Sequence, residues 1–455
     1  MGVSSGWSVV VLVLASCGEK LPKQPGRYVP DAPPPIDAPP DAAPITCAAP
    51  TGVGTIHQTF TTAQTWTAAT SPHVVLFDAT ISAPITIEPC AVVRIAGSKV
   101  LTIVANGAII ANGAVGQPVT FERRDPGTAY GPIRAFGGVL SLTHTIMREG
   151  GNPLGVVAGG ATIIMARSVS ATTGSLHLDD VEIANSASQG IHLQGVLGFD
   201  AGSKDVRIHG SVGYPIVTYA NLLGSIPSGV YTGNATDELL IAGSGGQVTT
   251  SQTMHDRGIP YRVGEGPNGQ LDVVGPVGTV AVLTIEPGVR LKFHPGGRMR
   301  IEPGAGPAKG ALIAVGTPAK RIVFTSVSPT PVAGAWIGVW FAGTVAPASR
   351  MQYVRVEFAG GTSNSGSNSC PYPGRNGINH AAIRIFGPAS PLSQFITDTE
   401  ILSSALDGID RGWRDNLQPS FLPTNTITNL AAGGCKESLP RTFAGVCPSV
   451  LPCPQ

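Results

Sequence analysis

The sequence predicts an all-β chain: a parallel β-helix, or solenoid, made of two duplicated units behind a disordered, proline-rich N-terminal linker. Three observations lead there. First, one long stretch is written twice. ITIEPCAVVRI (Ile85–Ile95) returns as LTIEPGVRLKF (Leu283–Phe293), GAIIANGAVGQPVTF (Gly107–Phe121) as GALIAVGTPAKRIVF (Gly310–Phe324), and DDVEIANSASQGI (Asp179–Ile191) as TDTEILSSALDGI (Thr397–Ile409). Repetition of this kind marks a quasi-one-dimensional protein, in which each layer buries its apolar edge by stacking on a neighbour. Second, 59 glycines and 40 prolines punctuate short Val/Ile/Leu runs without a three-residue period, as in a turn-rich β protein. Third, no long stretch free of Gly and Pro carries the three-and-four spacing of an amphipathic helix.

From the N-terminus, Val9–Leu14 is an apolar run followed by Leu14-Ala15-Ser16-Cys17. A short apolar segment with small residues before a cut reads as an export signal, too short to span a bilayer. The tetrad resembles a bacterial lipobox, which implies cleavage before Cys17 and a diacylglycerol on its sulfur. Gly18, where that sorting pattern would place Asp for retention, implies an outer-membrane destination, on the periplasmic or the cell-surface side. Residues 1–16 are therefore assigned to a signal peptide and 17–50 to a linker. Its core, PDAPPPIDAPPDAAP (Pro30–Pro44), favours polyproline II, in which ~25 residues reach ~75 Å.

With Cys17 acylated, Cys47, Cys90, Cys370, Cys435, Cys447 and Cys453 remain. An even set in an exported chain favours disulfides. Their clustering, two near the start of the body and four near its end, predicts Cys47 with Cys90 and the last four among themselves. Zinc is disfavoured, since no two cysteines are separated by only two residues and no histidine accompanies the terminal group at ligand spacing.

The body divides into residues 51–246 and 247–453, the second ending in a C-terminal cap. Each unit opens on a Thr-rich strand region, followed by the Ile-Glu-Pro strand and the Gly-Ala-Ile/Leu-Ile-Ala strand. At period two, Ile85, Ile87, Val93 and Ile95 point inward, as Ile285 does in the second copy. Gly and Pro stand at sharp turns. Connections between parallel strands are strongly biased to the right hand. The Asn and Ser of Ile183–Gly190 suit a corner, where short polar side chains bond free backbone groups. The tails Ala48–Pro72 and Gly433–Gln455 are the candidate caps.

LTIEPGVRLKF, GTPAKRIVFTS (Gly316–Ser326), AWIGVWF (Ala335–Phe341), MQYVRVEFAGG (Met351–Gly361) and the second SSALDGI segment together resemble the right-handed parallel β-helix proteins of the pectin-lyase-like superfamily. The resemblance runs from about Thr62 to Arg414 and implies architecture more than chemistry, since that framework hosts lyases, hydrolases, adhesins and proteins without activity.

Catalytic signatures are sparse. Polygalacturonase-like members carry Asn-Thr-Asp and Gly-His-Gly, and neither is present. Asp179-Asp180 offers the carboxylate pair that glycoside hydrolysis needs, but its counterpart Thr397-Asp398 keeps only one, and a strand-entry turn accounts for both. Arg290-Leu291-Lys292 imitates a basic catalytic triplet yet belongs to the duplicated strand. Asp407, Asp410, Arg411, Arg414 and Asp415 are the best lyase-like cluster, and a solvated, salt-bridged turn explains them too. The Lys204–Arg207 segment alternates outward charges, and Glu88, Glu286 and Glu302 recur with the repeat as turn residues. The nine histidines are scattered without ligand-type spacing. Trp336 and Trp340, four apart, would share one strand face, read as core rather than a sugar platform.

No catalytic residue, metal site or cofactor is assigned. A net charge of +1 with 13% charged residues gives no footprint for nucleic acid. The expectation is a lipid-anchored envelope protein whose rod-like body is a non-catalytic binding or structural element, with polysaccharide or another envelope component as partner. The alternatives are a polysaccharide lyase or glycoside hydrolase in the same fold, and a self-assembling adhesin rod.

Overall fold

A computed structural model describes residues 45–153, 160–166, 174–195, 197–243, 246–301, 309–363, 369–370 and 380–447. Cys17, the signal segment, the linker as far as residue 44, Glu302 and Cys453 lie outside them. The described residues belong to one compact unit.

Among the described residues the strands form sheets of thirteen, eleven, six, five and two strands. The ladders are parallel in all five. Alternation along each short strand sends one set of side chains into a common core, as period-two geometry requires. Ile85, Ile87, Val93 and Ile95 are completely buried, and Ile285 nearly so. Like residues stack in columns: Leu239, Tyr261, Leu291, Phe324, Val356, Ile401 and Ile427 follow one another through the thirteen-stranded sheet. That sheet runs through both halves of the chain. Its partners change midway, because the eleven-stranded sheet ends at Gly229–Val230 and the six- and five-stranded sheets begin at Gly246–Val248 and Gln252–Met254.

The duplicated strands do not occupy equivalent sheets. Val92–Ile95 lies in the eleven-stranded sheet, whereas its copy Arg290–Phe293 lies in the thirteen-stranded one. Leu101–Val104 is in the thirteen-stranded sheet, and the strand that follows the second copy, Arg298–Ile301, is in the six-stranded sheet. The sequence repeat is thus displaced by one face relative to the sheets.

Both ends of the core close on aromatic rings. Phe60 meets Trp66 and Phe77 edge-on at one end. At the other, Phe341, Phe395, Phe421 and Trp413 form an edge-to-face chain. Disulfides join Cys47 to Cys90 and Cys370 to Cys447, and Cys435 is also disulfide-bonded. At the corner after Ile183, Asn185 takes φ +57° and the buried Ser186 hydroxyl donates to Gln189 O, the polar corner expected there.

Three readings are corrected. Asp179 and Asp180 lie inside the strand Ser175–Ala184, not at its entry. Asp180 has φ +53°, and this left-handed step turns two consecutive side chains outward, as at Thr143 and His144 on the neighbouring strand. Trp336 and Trp340 do not share a face. The strand starts at Gly338, whose φ of +135° resets the alternation, so Trp336 stacks inward on Phe293 while Trp340 lies outward between Arg298 and Arg384. Asp407–Gly412 is a buried strand rather than a solvated turn.

Candidate functional site

The site follows from an interruption in the stack. The strands Val206–His209 and Gly229–Val230 pair with one another, and the next layer of that face should continue with Gln252–Met254. That strand pairs only onward, with Ala281–Ile285. The 3-10 helix Ala220–Ser225 packs against Gln252–Met254 and Gly246–Val248 instead, and a helix cannot extend a ladder. Side-chain amides replace the missing backbone bonds. Asn221 Oδ1 accepts from the Thr249 N–H, Gln252 Oε1 accepts from the Gly224 N–H, and Gln252 Nε2 donates to Ala220 O.

A groove of about 700 Å³ opens at this break. Ser203, Ser225, Ser228, Thr250, Ser251 and Thr253 line it, together with Asn221 and Gln252, so hydroxyls and amides dominate its wall. Phe199 also lines it, and Asp200 and Arg257 supply charges beside the His255 imidazole. Burial alone would raise the Asp200 carboxyl, but hydrogen bonds from His177 and Ser203 hold it below its ordinary value. Glu286 behind His255 is lowered in the same way, by the His255 imidazole and the Asp256 N–H. Arg257 donates from Nε and Nη2 to Ile226 O, so a carbonyl, not a carboxylate, anchors its cation. Of these, sequence reasoning flagged only the Thr-rich strand region that opens the second unit. The remaining lining residues come from three different layers, and no local motif joins them.

The residues that imitate catalytic signatures are committed elsewhere. Asp180 accepts from His144 Nδ1 at 2.7 Å and pairs with Arg207 at 3.0 Å. Asp179 pairs with Lys204 at 3.7 Å. Lys292 and Arg262 both bond Glu238, a residue that sequence reasoning missed. Burial would push Glu238 up, yet these two cations hold its pKa down. Near the C-terminal end, Asp407 Oδ1 accepts from the Cys435 N–H, Asp410 faces Arg384 and Ser438, and Arg411 bonds Glu437 and Ser438 O. Burial raises the pKa of Asp410 and of Glu437, and both are sealed in the interior rather than facing the groove. Among the described residues no three His, Cys, Asp or Glu side chains are placed to hold a metal ion, and no helix is long and apolar enough to cross a membrane.

Comparison with known protein families, with curated proteins and with solved structures finds no significant match to this chain.

Proposed function

We propose that this is a bacterial outer-membrane lipoprotein, acylated at Cys17, whose body is a right-handed parallel β-helix of the pectin-lyase-like kind and binds polysaccharide without turning it over. The rotation of the chain through successive parallel sheets supports the architecture. The lipobox-like tetrad and the proline-rich stretch support the tether.

One observation carries the binding reading. The groove at the ladder break presents hydroxyls, amides and a single anchored guanidinium, while the carboxylates near it already hold partners. A glycosidase must set two carboxyls across a bond, and a lyase must bring a base to an acidic sugar's α-proton. Groups spent on ion pairs along the stack do neither. The hydrolase or lyase alternative has one feature in its favour, the His144–Asp180 pair, whose imidazole is oriented by the carboxylate.

The test is a glycan array run beside product release from pectate, alginate, hyaluronate and cell-wall glycans. Binding weakened by Arg257→Ala or Thr253→Val, with no product released, supports the reading. Turnover abolished by Asp180→Ala or His144→Ala would replace it with the enzymatic one. The tether is tested separately: wild-type protein takes up labelled fatty acid in cells and Cys17→Ser does not.

A further inference from the structure

At the N-terminal end of the stack two imidazoles meet head to head. His57 ends the strand Thr55–His57, and His73 begins the adjacent strand His73–Val75. His57 Nε2 lies 2.9 Å from His73 Nδ1, with ring centroids 5.2 Å apart. An imidazole centroid is ~1.1 Å from its nitrogen, so the two nitrogens lie almost on the line between the centroids. That arrangement suits one bridging hydrogen. It does not converge on a third point where a metal ion could sit.

The tautomers follow from a neighbouring group. His73 Nε2 is 3.0 Å from Thr67 O, a carbonyl that can only accept, so Nε2 carries the hydrogen and Nδ1 is bare. The 2.9 Å contact is then donated by His57 Nε2–H. Trp66 stacks on both rings, at centroid distances of 4.3 and 5.1 Å. The indole N–H donates to Gln64 Oε1, and Gln64 Nε2 donates to Thr59 O. The imidazole pair therefore braces the strands that bring Phe60 and Trp66 over the end of the core.

One added proton is tolerated, because an imidazolium can still donate to a neutral neighbour. Two are not: both nitrogens would carry hydrogens and positive charge across 2.9 Å, with His73 only 1% exposed and beyond the reach of water. We propose that His57 and His73 form an acid-sensitive latch on the N-terminal end of the stack, closed while a single hydrogen bridges them and released when both rings are charged.

The groups facing the pair reinforce this. Burial and the neighbouring His73 bring His57 down to about 4, against a smaller opposing effect of Gln64. Burial lowers His73 against the Thr67 carbonyl. Arg94, on the strand beyond His73–Val75, is in register with Val74 rather than His73, so it lies on the opposite face, paired to Glu122, and no cation on that strand faces the imidazoles. Since both pKa values in the closed state lie below the ordinary 6.5, the open state takes up protons first. Closure is therefore strongest above pH ~6.5 and weakens as pH falls towards ~4, the opening constant growing by up to about tenfold per pH unit for each proton taken up.

The experiment is hydrogen exchange by mass spectrometry on the full body, at pH 7.5 and 4.5, corrected for intrinsic rates. The wild type should lose about tenfold or more protection over residues 55–66 relative to the mid-stack strand Ile191–Leu193, and His57→Gln, whose amide can donate to His73 without titrating, should lose less than about threefold. Equal loss in both proteins, loss spread evenly over the body, or no loss in the wild type would overturn the latch. NMR titration of the imidazoles supplies an independent reading if the variant's end is already open at pH 7.5. Coupled titrations below 6.5 support the latch, and either ring titrating at or above 6.5 in the folded protein would refute it.

Discussion

Ile285 sits in a column between Met254 and Ala314, and all three are buried. A carboxylate there has no partner and no water, so Ile285→Asp should cost at least ~4 kcal/mol in denaturant unfolding. Thr284→Asp, one residue back on the outward face, should cost less than ~1 kcal/mol. Equal losses would mean that the two positions do not alternate between core and solvent. This inward set was legible because period two is a local property of each strand. Glu238 was not, because its partners Arg262 and Lys292 come from neighbouring layers of the thirteen-stranded sheet, and only stacking brings them together. Glu238→Gln leaves two half-buried cations without their anion and should cost ~2 kcal/mol at pH 7. Because the folded-state pKa of Glu238 is depressed, this contribution is present above the ordinary carboxylate value and is lost as pH falls through the lowered one. The variant and the wild type should therefore converge in stability under acid, as paired denaturation curves at pH 7 and 3 would show.

The C-terminal element turns on Arg411. Its Nε donates to Ser438 O, its Nη1 to Leu417 O and Pro419 O, and it pairs with Glu437, which is 1% exposed. Arg411→Ala should cost about 3–5 kcal/mol, since it strands a buried carboxylate. Arg411→Lys should recover little of that, because an ammonium cannot reproduce the fork. Recovery to within ~1 kcal/mol in denaturant melts would show that charge alone holds the element. The alternating acidic and basic residues of this segment suggested a solvated turn from sequence, and it is a buried strand that contains Gly408. The physical reason for Gly408 is close approach: a Cβ there would lie 2.6 Å from Ile427 Cγ2 and 2.8 Å from Lys436 O. Glycine's two uses, bending and admitting a neighbour, look alike in a sequence and differ only once the neighbour is known. The cysteines were easier to place, because cross-linking chemistry depends on little beyond which cysteines are near one another in the stack. With Cys47–Cys90 and Cys370–Cys447 formed, non-reducing peptide mapping should find Cys435 joined to Cys453.

At the scale of the whole molecule, the sequence repeat and the sheets are out of step by one face, and the groove lies where that offset is absorbed. The repeat was legible because copied strands keep their apolar alternation. Which sheet each copy joins was not, because that depends on how many strands the intervening layers contribute, and the helix Ala220–Ser225 replaces strand there. In the β-helix proposed above stability is carried between neighbouring layers, so the break should be its weakest joint. Across it, the thirteen-stranded sheet provides backbone continuity, while Asn221 and Gln252 stand in for the ladder on the interrupted face. Replacing both with alanine removes four hydrogen bonds and leaves the Thr249 and Gly224 N–H groups without protein acceptors, a loss of ~2–4 kcal/mol confined to this joint. Calorimetry should then resolve two transitions where the wild type has one, because the layers on either side no longer melt together. A single transition displaced to lower temperature would instead mean that the thirteen-stranded sheet alone couples the halves, and that the amide bridge serves only to shape the groove.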